Sequence, residues 1–349
     1  MANVAFKTLL KTDLPIIQAP MAGVQDSKLV VAVCEAGGLG SLPCGMLSID
    51  GIVSEIRAIR KGTSRPFNLN FFCHEMPAYS EQQHSQWQAK LQPYFEELGI
   101  SSVSSPGGAS RVPFNHEIAD AIEIFTPEII SFHFGLPDDE LLSRVKSWGT
   151  KVLSSATTLA EAQWLASKGV DGIIAQGVEA GGHRGMFLTD DISTQMGTLA
   201  LVRQIVKVVD LPVIAAGGIA DSEGVRAAMA LGACAAQIGT AYLLCDEATT
   251  SALHRTALNS CQAQHTALTN VFSGRPARGI VNRVMQELGY MCDAAPTFPY
   301  AAIEITQLRS AAEKQGSSDF SPLWSGQNTS GCKVVSAGML TKELAKGVC

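Results

Sequence analysis

The chain lacks the marks of several protein classes. No apolar run approaches the roughly 20 residues of a membrane helix. Residues 1–7 have neither the basic start nor the long apolar core of a secretory signal, so a soluble cytoplasmic protein is expected. Charged residues make up only 17%, the net charge is −6, and no basic cluster stands out. Aromatics are 6% and scattered, which gives no platform for stacking bases. Nucleic-acid and membrane partners are therefore not expected. The cysteines, Cys34, Cys44, Cys73, Cys234, Cys245, Cys261, Cys292, Cys332 and Cys349, are odd in number and include no Cys-x-x-Cys pair. Several lie in apolar runs, and Cys73 abuts His74 without metal-ligand spacing, so neither disulfides nor a metal site is expected. There is no GxGxxG after the first strand and no GxxxxGK[ST], which argues against the common dinucleotide and P-loop sites.

What the chain does have is length and a rhythm. Its 349 residues, 46% hydrophobic, suffice for one large barrel with an addition. Short apolar runs read as strands at 14–19, 39–42, 66–71, 128–133, 151–155, 172–176, 212–216 and 235–239. Helical patterns alternate with them; Ile49, Ile52, Ile56 and Ile59 form one apolar stripe. Eight such βα units predict the α/β class and a (β/α)8 TIM barrel over 1–245. An insertion at about 72–115, carrying a polar helix at 81–98, interrupts the rhythm. After Thr240 the rhythm stops. Helical patterns at 248–268 and 302–314 predict a smaller, mostly helical substrate-side domain over 246–322. A segment over 323–349, with a helix near 340–345, is expected to return to the barrel.

In a parallel barrel the C-terminal strand ends meet on one face. Here they offer Asn70, His133, Ser155, Gln176, Gly217-Gly218 and Gly239-Thr240. The run Gln176-Gly177-Val178-Glu179-Ala180-Gly181-Gly182-His183-Arg184-Gly185 follows the sixth strand, and its glycines allow close backbone approach to a flat ligand. The amides of Asn70 and Gln176 can read the edge of a heterocycle. Gly217 and Gly218 follow the seventh strand; Gln237, Ile238, Gly239 and Thr240 end the eighth. Backbone N–H groups from these two loops commonly hold phosphate in barrels of this type.

Several of these motifs together resemble the nitronate monooxygenases. They are Gln18-Ala19-Pro20-Met21, Asn68-Leu69-Asn70, Ala175-Gln176-Gly177 with the following glycine-histidine loop, Ala216-Gly217-Gly218-Ile219, Gln237-Ile238-Gly239-Thr240 and Gly274-Arg275-Pro276-Ala277-Arg278. FMN-dependent enoyl-ACP reductases and NADH:quinone reductases of related fold share much of the Ala-Gly-Gly-His loop. The resemblance implies FMN at the C-terminal face of the barrel. It implies that Asn70, Gln176, Gly181, Gly182, Gly217, Gly218 and Gln237 to Thr240, including Ile238 and Gly239, contact the flavin or its phosphate. Ala22 and Gly23 are expected beside the isoalloxazine ring; Ala22 departs from the second glycine that many relatives carry there. His183 matches the family's active-site histidine, and His133 a second histidine near the substrate.

The implied reaction is oxidation of an alkyl nitronate by O2 to a carbonyl compound and nitrite, with propionate 3-nitronate and neutral nitroalkanes among the candidate substrates. His183, whose ordinary pKa is near neutrality, is expected to bond the nitro oxygens or remove the α-proton of a nitroalkane. His133 would orient or hold the anion. The alternatives are an NAD(P)H-dependent FMN oxidoreductase of the enoyl-ACP reductase or quinone reductase type, and a flavin-binding barrel without turnover. A monomer or homodimer is expected.

Overall fold

The computed structural model describes residues 2–102 and 111–348, so part of the expected insertion, with Pro106, lies outside the described residues, as does Cys349. The strands are β1 Ile16–Gln18, β2 Ser41–Pro43, β3 Asn68–Phe72, β4 Ile129–His133, β5 Lys151–Ala156, β6 Gly172–Gln176, β7 Gly182–His183, β8 Val213–Ala216, β9 Ala235–Ile238, β10 Thr266–Thr269 and β11 Ala277–Ile280. The helices are α1 Ala2–Leu10, α2 Ser27–Glu35, α3 Ile49–Gly62, α4 Glu81–Glu97, α5 His116–Glu123, α6 Asp139–Ser147, α7 Leu159–Ser167, α8 Thr198–Val208, α9 Ser222–Ala230, α10 Ala252–Leu258, α11 Arg283–Leu288, α12 Ala302–Lys314 and α13 Ala337–Leu344.

Eight parallel strands run in the order β1-β9-β8-β6-β5-β4-β3-β2. The two ends meet through a parallel bridge, Ile17 to Leu39, which closes a (β/α)8 TIM barrel. The strands are largely buried because helices cover their outer face and side chains fill the interior, and their polar residues, such as Asn68, Asn70, Ser131 and Gln176, face other polar groups. The helices start where their caps stand: Asp26, Ser48, Asn115, Asp138, Thr158 and Asp221 each accept a hydrogen bond from the first-turn backbone. The main core packs Ile52, Ile56 and Ile59 of α3 and Leu201, Val202 and Ile205 of α8 against buried strand residues.

One helix went unread in the sequence. In α1, Phe6, Leu9 and Leu10 pack with Ile17, Leu39, Ile129, Leu153, Ile174 and Ile214, residues from six positions around the strand ring. The helix thus plugs one end of the barrel. Toward the C-terminus α13 buries Ala337, Leu340 and Leu344 in one core with Leu29 and Val33 of α2.

The region after Thr240 differs from the expectation. The helix anticipated over 248–268 is broken: α10 ends at Leu258, a short 3-10 turn follows, and 266–269 is strand β10. Asn259 and Ser260 are the stop; Ser260 caps the turn through its hydroxyl. β10 and β11 pair antiparallel, and β7 pairs antiparallel with β11, with Ala277 opposite His183. A three-stranded sheet therefore grips the glycine-rich loop after β6. A second core joins Trp87, Leu91 and Phe95 of α4 to Val271, Phe272, Val284, Met285, Ile305, Leu308 and Phe320. Helix α4 and the chain after 246 thus share one core. Among the described residues no helix is long and apolar enough to cross a membrane.

Candidate active site

A cavity of about 290 Å³ opens at the C-terminal strand ends. Ala22, Gly23, Asn70, His133, Gln176, Gly181, Gly182, His183, Gly217, Gly218, Gln237, Ile238, Gly239 and Thr240 all line it. Parallel strand register brings them together: Gln176 stands opposite Ala216, and Ala216 opposite Gln237.

At the ends of β8 and β9 the wall is mostly backbone. Gly218 has φ +73°, and a Cβ there would point toward Glu179. No described hydrogen bond is donated by the backbone N–H of Gly217, Gly218 or Thr240. The chain over 325–332 seals this cradle from behind. Asn328 Nδ2 donates to the Gly218 carbonyl (2.9 Å), the Gly326 N–H to Thr240 Oγ1 (2.9 Å), and the Cys332 thiol to the Thr240 carbonyl (3.1 Å). A side chain at Gly181 would collide with residues 325 and 326. Beside the cradle, Gln237 Oε1 is buried without a partner among the described residues.

The two amides read as heterocycle-edge groups have prior engagements. Gln176 Nε2 donates to the His183 carbonyl (3.0 Å), and its Oε1 accepts from the Gly185 N–H (2.8 Å). It staples the β6–β7 loop. The fully buried Arg184 completes that staple, donating to the carbonyls of Gln176 and Gly177 and to Gln195 Oε1. Asn70 donates to the Ser131 carbonyl and hydroxyl, which leaves its carbonyl oxygen to offer.

His183 Nε2 lies 2.8 Å from Ser273 Oγ. Ser273 Oγ also reaches the Arg275 carbonyl (3.3 Å), so its single proton serves either that carbonyl or Nε2, and the tautomer of His183 follows from that choice. Burial holds this imidazole well below its ordinary pKa, and the positive charges of Arg111 and Arg275 add to the effect, together with His133 and His74. That corrects the expectation of a near-neutral base: protonating His183 works against burial and two guanidinium groups. His133 also differs from expectation. Its Nε2 must donate to the His183 carbonyl (3.1 Å), and its Nδ1 faces Ser155 Oγ at 3.1 Å. With both nitrogens engaged and its pKa lowered to about 4 by burial, His133 positions the His183 backbone. Rings of Phe298, Trp324 and Phe72 stand 5.5, 5.6 and 6.2 Å from His183.

The model of the nitronate monooxygenase family matches residues 3–347. The chain belongs to the nitronate monooxygenase family. It is 41% identical to a nitronate monooxygenase of Paraburkholderia phytofirmans, with 98% of this chain and 94% of the relative covered. It is 38% identical to one of Pseudomonas aeruginosa, with 98% of each covered. Among solved structures, a nitroalkane oxidase from Streptomyces ansochromogenes superposes with a TM-score of 0.87 at 38% identity, over 98% of this chain and 96% of that one. FabK from Thermotoga maritima shares the fold, with a TM-score of 0.70 at 24% identity over 98% of this chain and 94% of its own. As a nitronate monooxygenase family member the chain is an oxidoreductase enzyme.

Sequence reasoning missed part of this family member's cavity wall. Phe72, Arg111, Trp324, Gly326 and Asn328 line it and were not anticipated. Ser273 and Phe298 back His183 without having been singled out. Arg275 lay in a quoted motif, but its place, 4.2 Å above the Phe134 ring, had no local signal.

Proposed function

We propose that this enzyme binds FMN and uses it to oxidise alkyl nitronates with O2, giving a carbonyl compound and nitrite. The observation that carries the reading is one continuous cavity joining a backbone cradle to the His183 chamber. The cradle suits a phosphate: the unused N–H groups of Gly217, Gly218 and Thr240 are donors without bulk. The orphaned Gln237 Oε1 and the carbonyl of Asn70 suit a heterocycle bearing N–H donors, as FMN does. Ala22, Gly23, Gly181, Gly182, Ile238 and Gly239 would complete the FMN envelope. When bound, FMN supplies an electron acceptor for the electron-rich nitronate carbon.

The protein's own residues then bind and orient. His183, held neutral by burial, favours a substrate that arrives already deprotonated, because removing a proton from a nitroalkane would charge the imidazole against its surroundings. The aromatic rings around it exclude water and accept the alkyl group. His133 and Gln176 act through the His183 carbonyl and fix where the imidazole stands. Propionate 3-nitronate and simple alkyl nitronates are the substrates of choice, with neutral nitroalkanes turned over slowly. The enzyme is taken to work in the cytoplasm as a monomer or homodimer.

The test is anaerobic mixing of the purified protein with ethyl nitronate and, separately, with NADH, following the flavin spectrum. Reduction by the nitronate alone is expected. Rapid reduction by NADH with no response to nitronate would overturn the reading in favour of a pyridine-nucleotide oxidoreductase.

A further inference from the structure

We infer that Arg111 is an anion anchor in the His183 chamber: it takes the charge of a small planar oxyanion and so selects that anion over its neutral conjugate acid. The inference rests on the proposed function only for the anion's identity. Arg111 lines the cavity, and its Nη1 is buried with no hydrogen-bond partner among the described residues. The other arginines around the site are different. Arg184 and Arg278 each bond several protein oxygens, and Arg275 bonds the Met186 carbonyl. Arg111 instead rests 5.3 Å from the centre of the Phe298 ring, which fixes its plane without neutralising it.

The charge is present and unbalanced. Burial lowers the guanidinium to about 10, so it stays protonated at neutral pH. The one carboxylate among the lining residues, Glu313, is already paired with Arg309 at 2.8 Å. The histidines nearby cannot share the work: burial holds His183 neutral, and His74 and His133 sit at about 4. A buried charge without a counter-charge is costly, and an incoming anion relieves that cost. A guanidinium fork matches the two in-plane oxygens of a nitronate, whereas a nitroalkane of the same shape brings no net charge.

Nitrate is a planar, unreactive monoanion and serves as the probe. Its affinity for the flavin-loaded enzyme can be measured by calorimetry for wild type, Arg111→Gln and Arg111→Lys. Arg111→Gln should bind nitrate on the order of 100-fold more weakly and raise KM for ethyl nitronate by a similar factor. KM for nitroethane should move less than about threefold, and Arg111→Lys should recover part of the loss because it restores charge without the fork. Flavin content should not change. Equal nitrate affinity in wild type and Arg111→Gln, or an equal loss for nitronate and nitroethane, overturns the anchor. Should Arg111→Gln fail to fold, phenylglyoxal labelling of the wild type decides: nitrate should shield Arg111, and labelling indifferent to nitrate overturns the inference. Arg111-dependent nitrate binding in a protein that oxidises no nitronate would sink the proposed reaction and leave the anchor standing. Nitronate turnover with nitrate binding indifferent to Arg111 would do the reverse.

Discussion

On the barrel side of the cavity the strand ends offer glycines, backbone N–H groups and amides. On the other side, the body built from α4, β10, β11 and α12 brings Ser273, Arg275, Phe298 and Trp324 up to His183. The first wall is positioned by parallel register, which fixes neighbours such as Gln176, Ala216 and Gln237 through main-chain bonds. The second is positioned by side-chain packing between segments far apart in the chain; Trp87 Nε1 donates to the Ala301 carbonyl, 214 residues on. A wall held by backbone tolerates few changes of shape, and one held by side chains can be recut residue by residue. Under the proposed function, the barrel side would hold the cofactor and the other side would choose the substrate.

The sharpest way to break that division is Gly218→Asp. It forces a left-handed backbone on a side chain and aims a carboxylate toward Glu179 and the cradle. FMN retention should fall at least about 100-fold while circular dichroism reports an intact barrel, since like charge and lost N–H geometry act together. Full flavin content in this variant would remove the cradle assignment.

Next in size is His183→Asn on the seam between the two walls. FMN should stay bound. Turnover of neutral nitroalkanes, already slow because the buried imidazole resists a proton, should fall further, toward the lower end of the roughly 10²–10⁴-fold cost of a lost general base. Turnover of preformed nitronate should drop less, because asparagine still donates a hydrogen bond. Steady-state assays on both substrate forms measure the contrast; equal losses would leave His183 with no role in proton transfer.

Gln176→Leu sharpens the comparison from the other direction. Read as a flavin contact, it should chiefly weaken FMN binding. Read as a staple, it leaves the Gly185 N–H without a partner and lowers stability by about 1–3 kcal/mol. Urea unfolding with and without added FMN separates the two, and a loss confined to the loaded protein would restore the flavin-contact reading.

The smallest effect is a pH slope. His133 and His254 are held at about 4 by burial, against 6.5 for an ordinary histidine. Their stabilising neutrality is complete above 6.5 and is lost as pH falls toward 4, because the unfolded chain takes up protons that the folded one refuses. Each should contribute on the order of 1–2 kcal/mol of destabilisation at pH 5. Glu304, pushed up to about 7 by burial, works in the opposite sense between 4.5 and 7. Unfolding midpoints at pH 5 and 7 for wild type and His254→Phe should therefore differ in slope; parallel shifts would contradict the burial argument.

The barrel was legible because its signals are local and repeated. Most βα units carry their own cap and apolar stripe, and several a glycine stop, as at Asp221 and Gly232. The strand-end residues followed from topology alone. What stayed hidden had no period to reveal it. Helix α1 offers one short apolar face, and its role as a plug depends on six strands elsewhere. β10 was absorbed into a longer helical pattern because Ala267 and Leu268 fit either period. Gln176 and His133 were found as site residues, but their partners, the carbonyl of His183 and the N–H of Gly185, are main-chain groups that no side-chain pattern announces. Arg111 could be located in the chain but not known to be buried and unpaired.

The seal over 325–332 also bears on the order of events during synthesis. The strands that carry Gly218 and Thr240 leave the ribosome about a hundred residues before Gly326 and Asn328, which complete their cradle, so the barrel can fold first and wait. A nascent or truncated chain that stops short of residue 326 would lack both the back of the cradle and the cover that α13 lays over α2, so its barrel would stay open to proteases and chaperones until the last segment arrives.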